Sequence, residues 1–147
     1  MSLATLRQIA LRWLAQRDYT VAELQRKLQI KDFSSADIHT FLSEARQAGW
    51  LNETRYIENY IHMRQQKGYG PLRIQAELRS KGITDENIAQ QLDIDDNAWQ
   101  ITITRVWQKY SKGKLPQDLK TRIKHRRFLQ YRGFTQEQID YAIHLSE

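Results

Sequence analysis

Residues 17–42 read RDYTVAELQRKLQIKDFSSADIHTFL, residues 67–92 read KGYGPLRIQAELRSKGITDENIAQQL, and the two stretches align with a shift of 50. The positions that are apolar in both stretches pair Leu24 with Ile74, Leu28 with Leu78, Ile38 with Ile88 and Leu42 with Leu92. They recur at helical spacing, which is typical of amphipathic helices with one face on a core. The sequence therefore contains an internal repeat built from helices.

A third copy follows toward the C-terminus, where a shift of 51 places Leu129 on Leu78 and Phe134 on Ile83. This copy is weaker, because His125 falls at the position of the apolar Ile74. Repeats of this kind bury their apolar faces against their neighbours and form linear arrays. We therefore predict an all-α fold of three tandem three-helix repeats forming an elongated, curved helical array, with repeats at residues 1–51, 52–94 and 95–147.

Helix starts and stops lie between the apolar positions. The pairs Thr20 with Glu23 and Thr135 with Gln138 are typical of capping boxes, which satisfy the free N–H groups of a first helical turn. Gly49 is suited to a left-handed helix stop. No convincing run alternates apolar and polar residues, so we predict nine helices and no strand. Helix one is predicted at 4–17 and helix two at 21–30, and the later helices start near Ser34 or Ser35, Asn52, Pro71, Thr84, Asp95 or Asp96, and Pro116.

The same spacing predicts which side chains face the core. On helix five the predicted apolar face includes Leu72, and on helix eight it includes Leu119 and Ile123. All four tryptophans are predicted to face inward, namely Trp13, Trp50, Trp99 and Trp107.

The composition excludes several classes of protein. The chain has 147 residues, 40% of them hydrophobic, which is enough to bury the core of one or two domains. It has no Cys, which excludes disulfides, thiol catalysis and Cys-based metal sites. The opening residues MSLATLRQIALRWL contain no apolar run of secretory or membrane-spanning length. We expect a cytoplasmic protein that does not bind a membrane.

The positive charge is concentrated in one stretch. Residues 105–133 hold ten Lys or Arg and one acidic residue, a net charge of +9, whereas the rest of the chain carries −3. Such a stretch is suited to a polyanion or an acidic protein surface, and a solvated face is the alternative.

No motif of the sequence indicates catalysis. The segment 93–97 resembles a calcium loop only faintly, because Ala98 and Thr104 replace the required Gly and Glu. Gly68 and Gly70 do not form a P-loop, because no strand precedes them and no Gly-Lys-Ser/Thr follows. We predict that the protein is not an enzyme and has no catalytic residues, no metal site and no cofactor.

The stretch KGYGPLRIQAELRSKGIT at residues 67–84 resembles the most recognisable segment of the bacterial RecX family. ALRWLAQRDYTVAELQRKL resembles the opening of that family, GWLNETRYIENYI its link into the second repeat, and FLQYRGFTQEQIDYAI its closing motif. The resemblance covers nearly the whole chain. It implies a non-enzymatic regulator of the RecA recombinase, with a curved body that enters the groove of the RecA filament on DNA and inhibits filament growth, ATP hydrolysis and strand exchange.

Two functions are open at this point. The first is the RecA regulator that the resemblance implies, with the RecA filament as partner, DNA as a weaker partner and a monomer as the working form. The second is an autonomous helical module that binds single- or double-stranded DNA directly. A direct DNA binder holds DNA without the recombinase, with a steep dependence on salt.

The candidate binding residues form two groups. On helix eight, Lys120, Lys124 and Arg127 share one face and Arg122 and Arg126 lie beside it, with Tyr131 and Arg132 extending the surface. Near the family-like motif the candidates are Lys67, Tyr69, Arg73, Arg79 and Lys81. For Arg73 the alternative to partner binding is an ion pair with Glu77, and for both tyrosines it is core packing.

Overall fold

The computed structural model describes residues 1–144, which form nine α-helices and no strand. The predicted all-α class is therefore confirmed for the described chain. In order, the helices are α1 (Leu3–Gln16), α2 (Val21–Ile30), α3 (Ser35–Ala48), α4 (Glu53–Gln66), α5 (Pro71–Ser80), α6 (Asp85–Gln91), α7 (Ala98–Ser111), α8 (Leu119–Arg132) and α9 (Gln136–His144).

Most of the predicted helix ends are present. The Thr20 hydroxyl accepts the backbone N–H of Glu23 at 3.0 Å. Thr135 and Gln138 form a full reciprocal box, because each backbone N–H donates to the side-chain oxygen of the other residue. Gly49 ends α3 in the left-handed conformation, with a φ of 79°.

One predicted helix start is wrong, and a second is displaced by one residue. Helix α8 does not open at Pro116, because the carboxylate of Asp118 accepts the N–H of Thr121 and caps the helix at that point. Helix α7 opens after Asn97, which makes no side-chain cap, and the Asp96 carboxylate instead accepts the N–H of Ala98 just before the first turn.

The chain divides into two compact units. Unit 1 comprises residues Met1–Asn59 and Leu78–Ile88, and unit 2 comprises Tyr60–Glu77 and the chain from Ala89 onward. In unit 1, α1, α2 and α3 pack against one another around an apolar core. That core holds Leu6, Ala10, Tyr19, Leu24, Leu28, Phe33, Ile38, Phe41, Leu42, Ala45 and Leu51.

Two side chains predicted to face inward, one after α3 and one on α5, are exposed. Trp50 is 44% exposed, because the turn after Gly49 brings the next residue, Leu51, back onto α3, where its N–H donates to the carbonyl of Ala45. Leu72 is also exposed, and its backbone N–H is used in a contact with the turn after α8.

In unit 2, α7 packs against α8 and α9. Trp99, Ile103 and Trp107 of α7 are buried. The predicted core face of α8 is wrong, since Leu119 is 72% exposed and Ile123 is also exposed. The helix turns His125 and Leu129 inward instead. The indole Nε1 of Trp107 donates to Nδ1 of His125 at 3.2 Å, so a tertiary hydrogen bond selects the buried face.

The stability of unit 2 is expected to depend on the protonation of His125. Burial lowers the pKa of His125, and the charge of Lys124 lowers it further. In the unfolded chain, histidine has its ordinary pKa of about 6.5, whereas the folded chain binds the proton less tightly. The free energy of unfolding is therefore highest above about pH 6.5 and decreases below it. We expect the free energy of unfolding of the wild type to decrease from about pH 7 toward pH 5.

Urea unfolding of His125→Gln over the same pH range checks this dependence. The variant removes the titrating group but keeps a polar side chain beside Trp107, so the decrease is expected to disappear. His39→Gln is the matched control, because His39 is exposed. An unchanged pH dependence in His125→Gln would contradict the prediction.

Candidate partner-binding surface

In unit 2, the turn between α4 and α5 is held against the turn between α8 and α9 by two backbone hydrogen bonds. The N–H of Gly70 donates to the carbonyl of Arg132 at 2.7 Å, and the N–H of Leu72 donates to that of Gly133 at 2.9 Å. The family-like motif in the centre of the sequence therefore contacts the closing motif directly.

This contact requires glycine on both sides. A Cβ on Gly70 would lie 2.5 Å from the carbonyl carbon of Gly133. A Cβ on Gly133 would lie 2.6 Å from the backbone nitrogen of Arg73, and the φ of Gly133 is +100°, where other residues are strained. The two glycines allow the backbones to approach this closely.

Three guanidinium groups surround the ring of Tyr69. The guanidinium carbons of Arg64, Arg73 and Arg132 lie 3.9, 4.5 and 4.9 Å from its centroid. Cations at such distances are attracted to the face of an aromatic ring. We call these four residues together with Glu77 the Tyr69 cluster.

Glu77 is the carboxylate of this cluster. Arg64 donates to it through Nε and Nη2 at 2.9 and 2.8 Å, and the Tyr60 hydroxyl donates at 2.9 Å. Nε of Arg73 lies 3.4 Å from the same carboxylate. Since the Tyr69 cluster contains three guanidinium groups and one carboxylate, it keeps a net charge of about +2.

These contacts change two pKa values. Burial by itself would raise the pKa of Glu77, but the hydrogen bonds from Arg64 and Tyr60 outweigh it and hold that pKa below its ordinary value. Burial and the hydrogen bond to Glu77 raise the pKa of Tyr60 to about 12. Glu77 is therefore charged and Tyr60 is protonated at neutral pH.

Glu77→Gln is expected to destabilise the protein by about 1–3 kcal/mol at pH 7, because it removes a carboxylate that two guanidinium groups use. A carboxylate with a lowered pKa contributes stability above its unfolded pKa and loses it as the pH falls through its folded pKa. The difference in unfolding free energy between wild type and variant should therefore shrink as the pH falls below about 4.3. Urea unfolding at neutral and acidic pH measures it, and a difference that stays constant with pH would contradict the assignment.

Arg73 makes the ion pair with Glu77 that was considered as the alternative to partner binding. Beside its contact with Glu77, its Nη1 donates to the carbonyl of Tyr131 at 3.3 Å, and its guanidinium lies 5.0 Å from the centroid of the Tyr131 ring. Tyr131 is 74% exposed, so it does not pack in the core, whereas Tyr69 is half-buried. An exposed tyrosine next to an arginine combines two residue types that are enriched at protein interfaces.

The basic residues of α8 fall into two kinds. Arg126 pairs with Asp140 at 2.6 Å, and Nε of Arg122 donates to the carbonyl of Pro116. The second kind comprises Lys120, Lys124 and Arg127, which are exposed and have no partner among residues 1–144. Together with Ile123 they line an open groove. We call these three cationic residues the α8 basic face.

Unit 2 brings together one part of the predicted set, namely Lys67, Tyr69, Arg73, Tyr131 and Arg132. Arg79 and Lys81 belong to unit 1, where Arg79 pairs with Asp85 and the carbonyl of Lys81 accepts the hydroxyl of Thr20. Sequence reasoning missed Arg64. Its spacing of four residues from Tyr60 on α4 is the signal that could have found it.

The described chain carries neither a metal site nor a membrane span. Within residues 1–144, no group of three or more His, Asp or Glu side chains is placed to hold a metal ion. No helix in the same range has the length and apolar character that crossing a bilayer requires.

Comparison with known families finds three matches in order along the chain. The first three-helix domain of RecX matches residues 7–43, the second matches residues 52–92, and the third matches residues 102–143. The predicted organisation in three-helix repeats is therefore confirmed.

Proteins named Regulatory protein RecX match most of the chain. The protein of Legionella pneumophila (strain Corby) is 38% identical over 130 residues, which cover 88% of this chain and 87% of the relative. The protein of Pseudomonas fluorescens (strain SBW25) is 36% identical over 138 residues, which cover 94% and 89%. The crystal structure of RecX from Lactobacillus salivarius shares the fold with a TM-score of 0.89 at 20% identity, over 98% of this chain and 96% of that one.

Proposed function

Because this chain belongs to the RecX family, as its sequence motifs predict, we propose that it binds the RecA recombinase filament and inhibits filament growth, ATP hydrolysis and strand exchange in recombinational DNA repair. The observation that carries the proposal is the match of all three family domains, together with relatives named as regulatory proteins. In this function the chain acts by binding and not by catalysis. It works as a monomer in the cytoplasm.

The Tyr69 cluster and Tyr131 support a protein partner. Arginine and tyrosine are the residue types that contribute most to binding energy at protein interfaces. The cluster holds its arginines in place through Glu77 and Tyr69, so little side-chain entropy is lost when a partner binds. Its net positive charge is suited to an acidic surface of the filament.

The test is DNA-dependent ATP hydrolysis by RecA with this chain titrated in. A chain that binds a filament end or groove affects many RecA protomers, so we expect inhibition at chain-to-RecA ratios well below one. An unrelated basic protein of similar net charge is the control. Inhibition that requires a large excess over RecA, or that the control reproduces, would contradict the proposal.

The α8 basic face favours a second candidate function, direct binding to DNA. Lys120, Lys124 and Arg127 are exposed without acidic partners among residues 1–144, as phosphate-binding side chains need to be. Binding to labelled single- and double-stranded DNA without RecA, over a range of salt concentrations, tests this candidate. Tight binding with a steep salt dependence would support it, and weak binding at all salt concentrations would reject it.

A further inference from the structure

A pocket of about 460 Å3 opens in unit 2 between the end of α4, the second half of α7 and the C-terminal half of α8. Pockets for small molecules have volumes of about 300–1,000 Å3. Among the described residues, no carboxylate lines this pocket. Four cationic side chains do so, namely Lys67, Arg105, Lys109 and Arg132.

The two arginines are held in place by the end of α4. Nη1 of Arg132 donates to the carbonyls of Lys67 and Gly68 at 3.1 and 3.4 Å, and Nη2 of Arg105 donates to that of Gln65 at 2.8 Å. A guanidinium has five N–H groups, so both keep donors for a ligand. Gly68 lies close to Arg132, since a Cβ there would lie 3.2 Å from its Nη1.

The two lysines add charge that nothing in the described chain neutralises. The side chains of Lys67 and Lys109 are exposed, and neither has a hydrogen bond or ion pair within residues 1–144. Four cations around one pocket without an acid repel one another, so a bound anion relieves this repulsion. A ligand with several negative charges fits this arrangement better than a phosphodiester with a single charge.

The floor of the pocket is apolar. Val106 is buried, and the rings of Tyr110 and Phe128 are stacked with centroids 3.8 Å apart. This surface is suited to a planar or apolar part of a ligand, which inorganic phosphate lacks.

We propose that this pocket binds a nucleoside polyphosphate, with its phosphates against Lys67, Arg105 and Lys109 and its nucleoside against Val106, Tyr110 and Phe128. Nucleotide binding at this pocket is separate from the proposed function, because it requires neither RecA nor DNA.

Isothermal titration calorimetry of the full chain with ATP, at low salt and without divalent cations, tests the proposal. We expect Lys109→Glu to weaken ATP binding by roughly tenfold or more, because it removes a charge-assisted contact and adds a repulsive one. Lys114→Glu is the matched control, because it makes the same change in charge. Lys114 is exposed and lies outside the pocket. This variant should alter the affinity less than about twofold, because Lys114 does not line the pocket and a charge outside the pocket acts on the ligand through solvent of high dielectric constant.

Two further ligands complete the test. Tripolyphosphate should bind more weakly than ATP, because it lacks the nucleoside, and a short oligothymidylate should bind more weakly because each of its phosphates carries one charge. The proposal is overturned if tripolyphosphate binds as tightly as ATP, if the oligonucleotide binds and ATP does not, or if Lys109→Glu and Lys114→Glu have equal effects.

Discussion

Gly133→Ala is expected to destabilise unit 2 by about 2–5 kcal/mol, because it adds the strain of a left-handed backbone to a steric clash in the core of the contact. The new Cβ would lie against the backbone of Arg73, which cannot move without breaking the hydrogen bond from Leu72 to Gly133. The measurement is the free energy of unfolding by urea, followed by far-ultraviolet circular dichroism.

Gly113→Ala separates the two costs. Gly113 also has a positive φ, of 73°, but no atom lies within 4 Å of a Cβ placed there. The loss of unfolding free energy in Gly113→Ala therefore measures the backbone strain alone, which is about 1 kcal/mol. Gly70→Ala reports the clash without a left-handed φ. If Gly133→Ala costs no more than Gly113→Ala, the close contact between the two turns does not stabilise the fold as described.

Replacing Lys120, Lys124 and Arg127 together by Glu is expected to have the largest effect on binding. If these side chains contact phosphates, the slope of log affinity against log salt should flatten by about 0.9 per lost contact on duplex DNA, or about 0.7 on single strands. Folding should survive, because all three side chains are exposed. Arg126 is left unchanged because it pairs with Asp140.

A triple variant of unit 1, Arg12→Glu with Arg26→Glu and Lys31→Glu, is the matched control. Its residues are exposed and it makes the same change in net charge. If the α8 basic face meets RecA instead of DNA, the α8 variant loses inhibition of RecA while its binding to naked DNA changes little. Unaltered DNA binding together with unaltered inhibition would show that the α8 basic face is a solvated surface.

Helix positions could be predicted from the sequence where the signal is local. The capping residues Thr20 and Thr135 and the left-handed Gly49 act within one turn of chain, so their roles can be read from neighbouring residues. The inward face of α8 could not be predicted, because six of its 14 residues are Lys or Arg and its few apolar residues give two possible faces. The hydrogen bond between Trp107 and His125 decides between them, and it joins residues 18 apart in sequence.

The candidate site was predictable by residue type and not by arrangement. Tyr69, Arg73 and Arg132 were each predicted to bind a partner, but nothing in the sequence indicates that their side chains meet at one ring. That meeting depends on the close approach of Gly70 and Gly133, two glycines 63 positions apart. The spacing of Arg64 from Tyr60 on α4 is a local signal, but its partner Glu77 lies on the next helix.

The growth of RecA filaments on single-stranded DNA shows whether this chain acts on the filament or on the DNA. Labelled RecA is followed on single DNA molecules while this chain is added at increasing ratios, and its own binding to the bare strand is measured under the same conditions. We expect filament extension to slow at chain-to-RecA ratios well below one, at concentrations where little of the chain binds bare DNA. Extension that is unchanged up to equal amounts of the two proteins, or that slows only when the chain coats the DNA, would contradict this expectation.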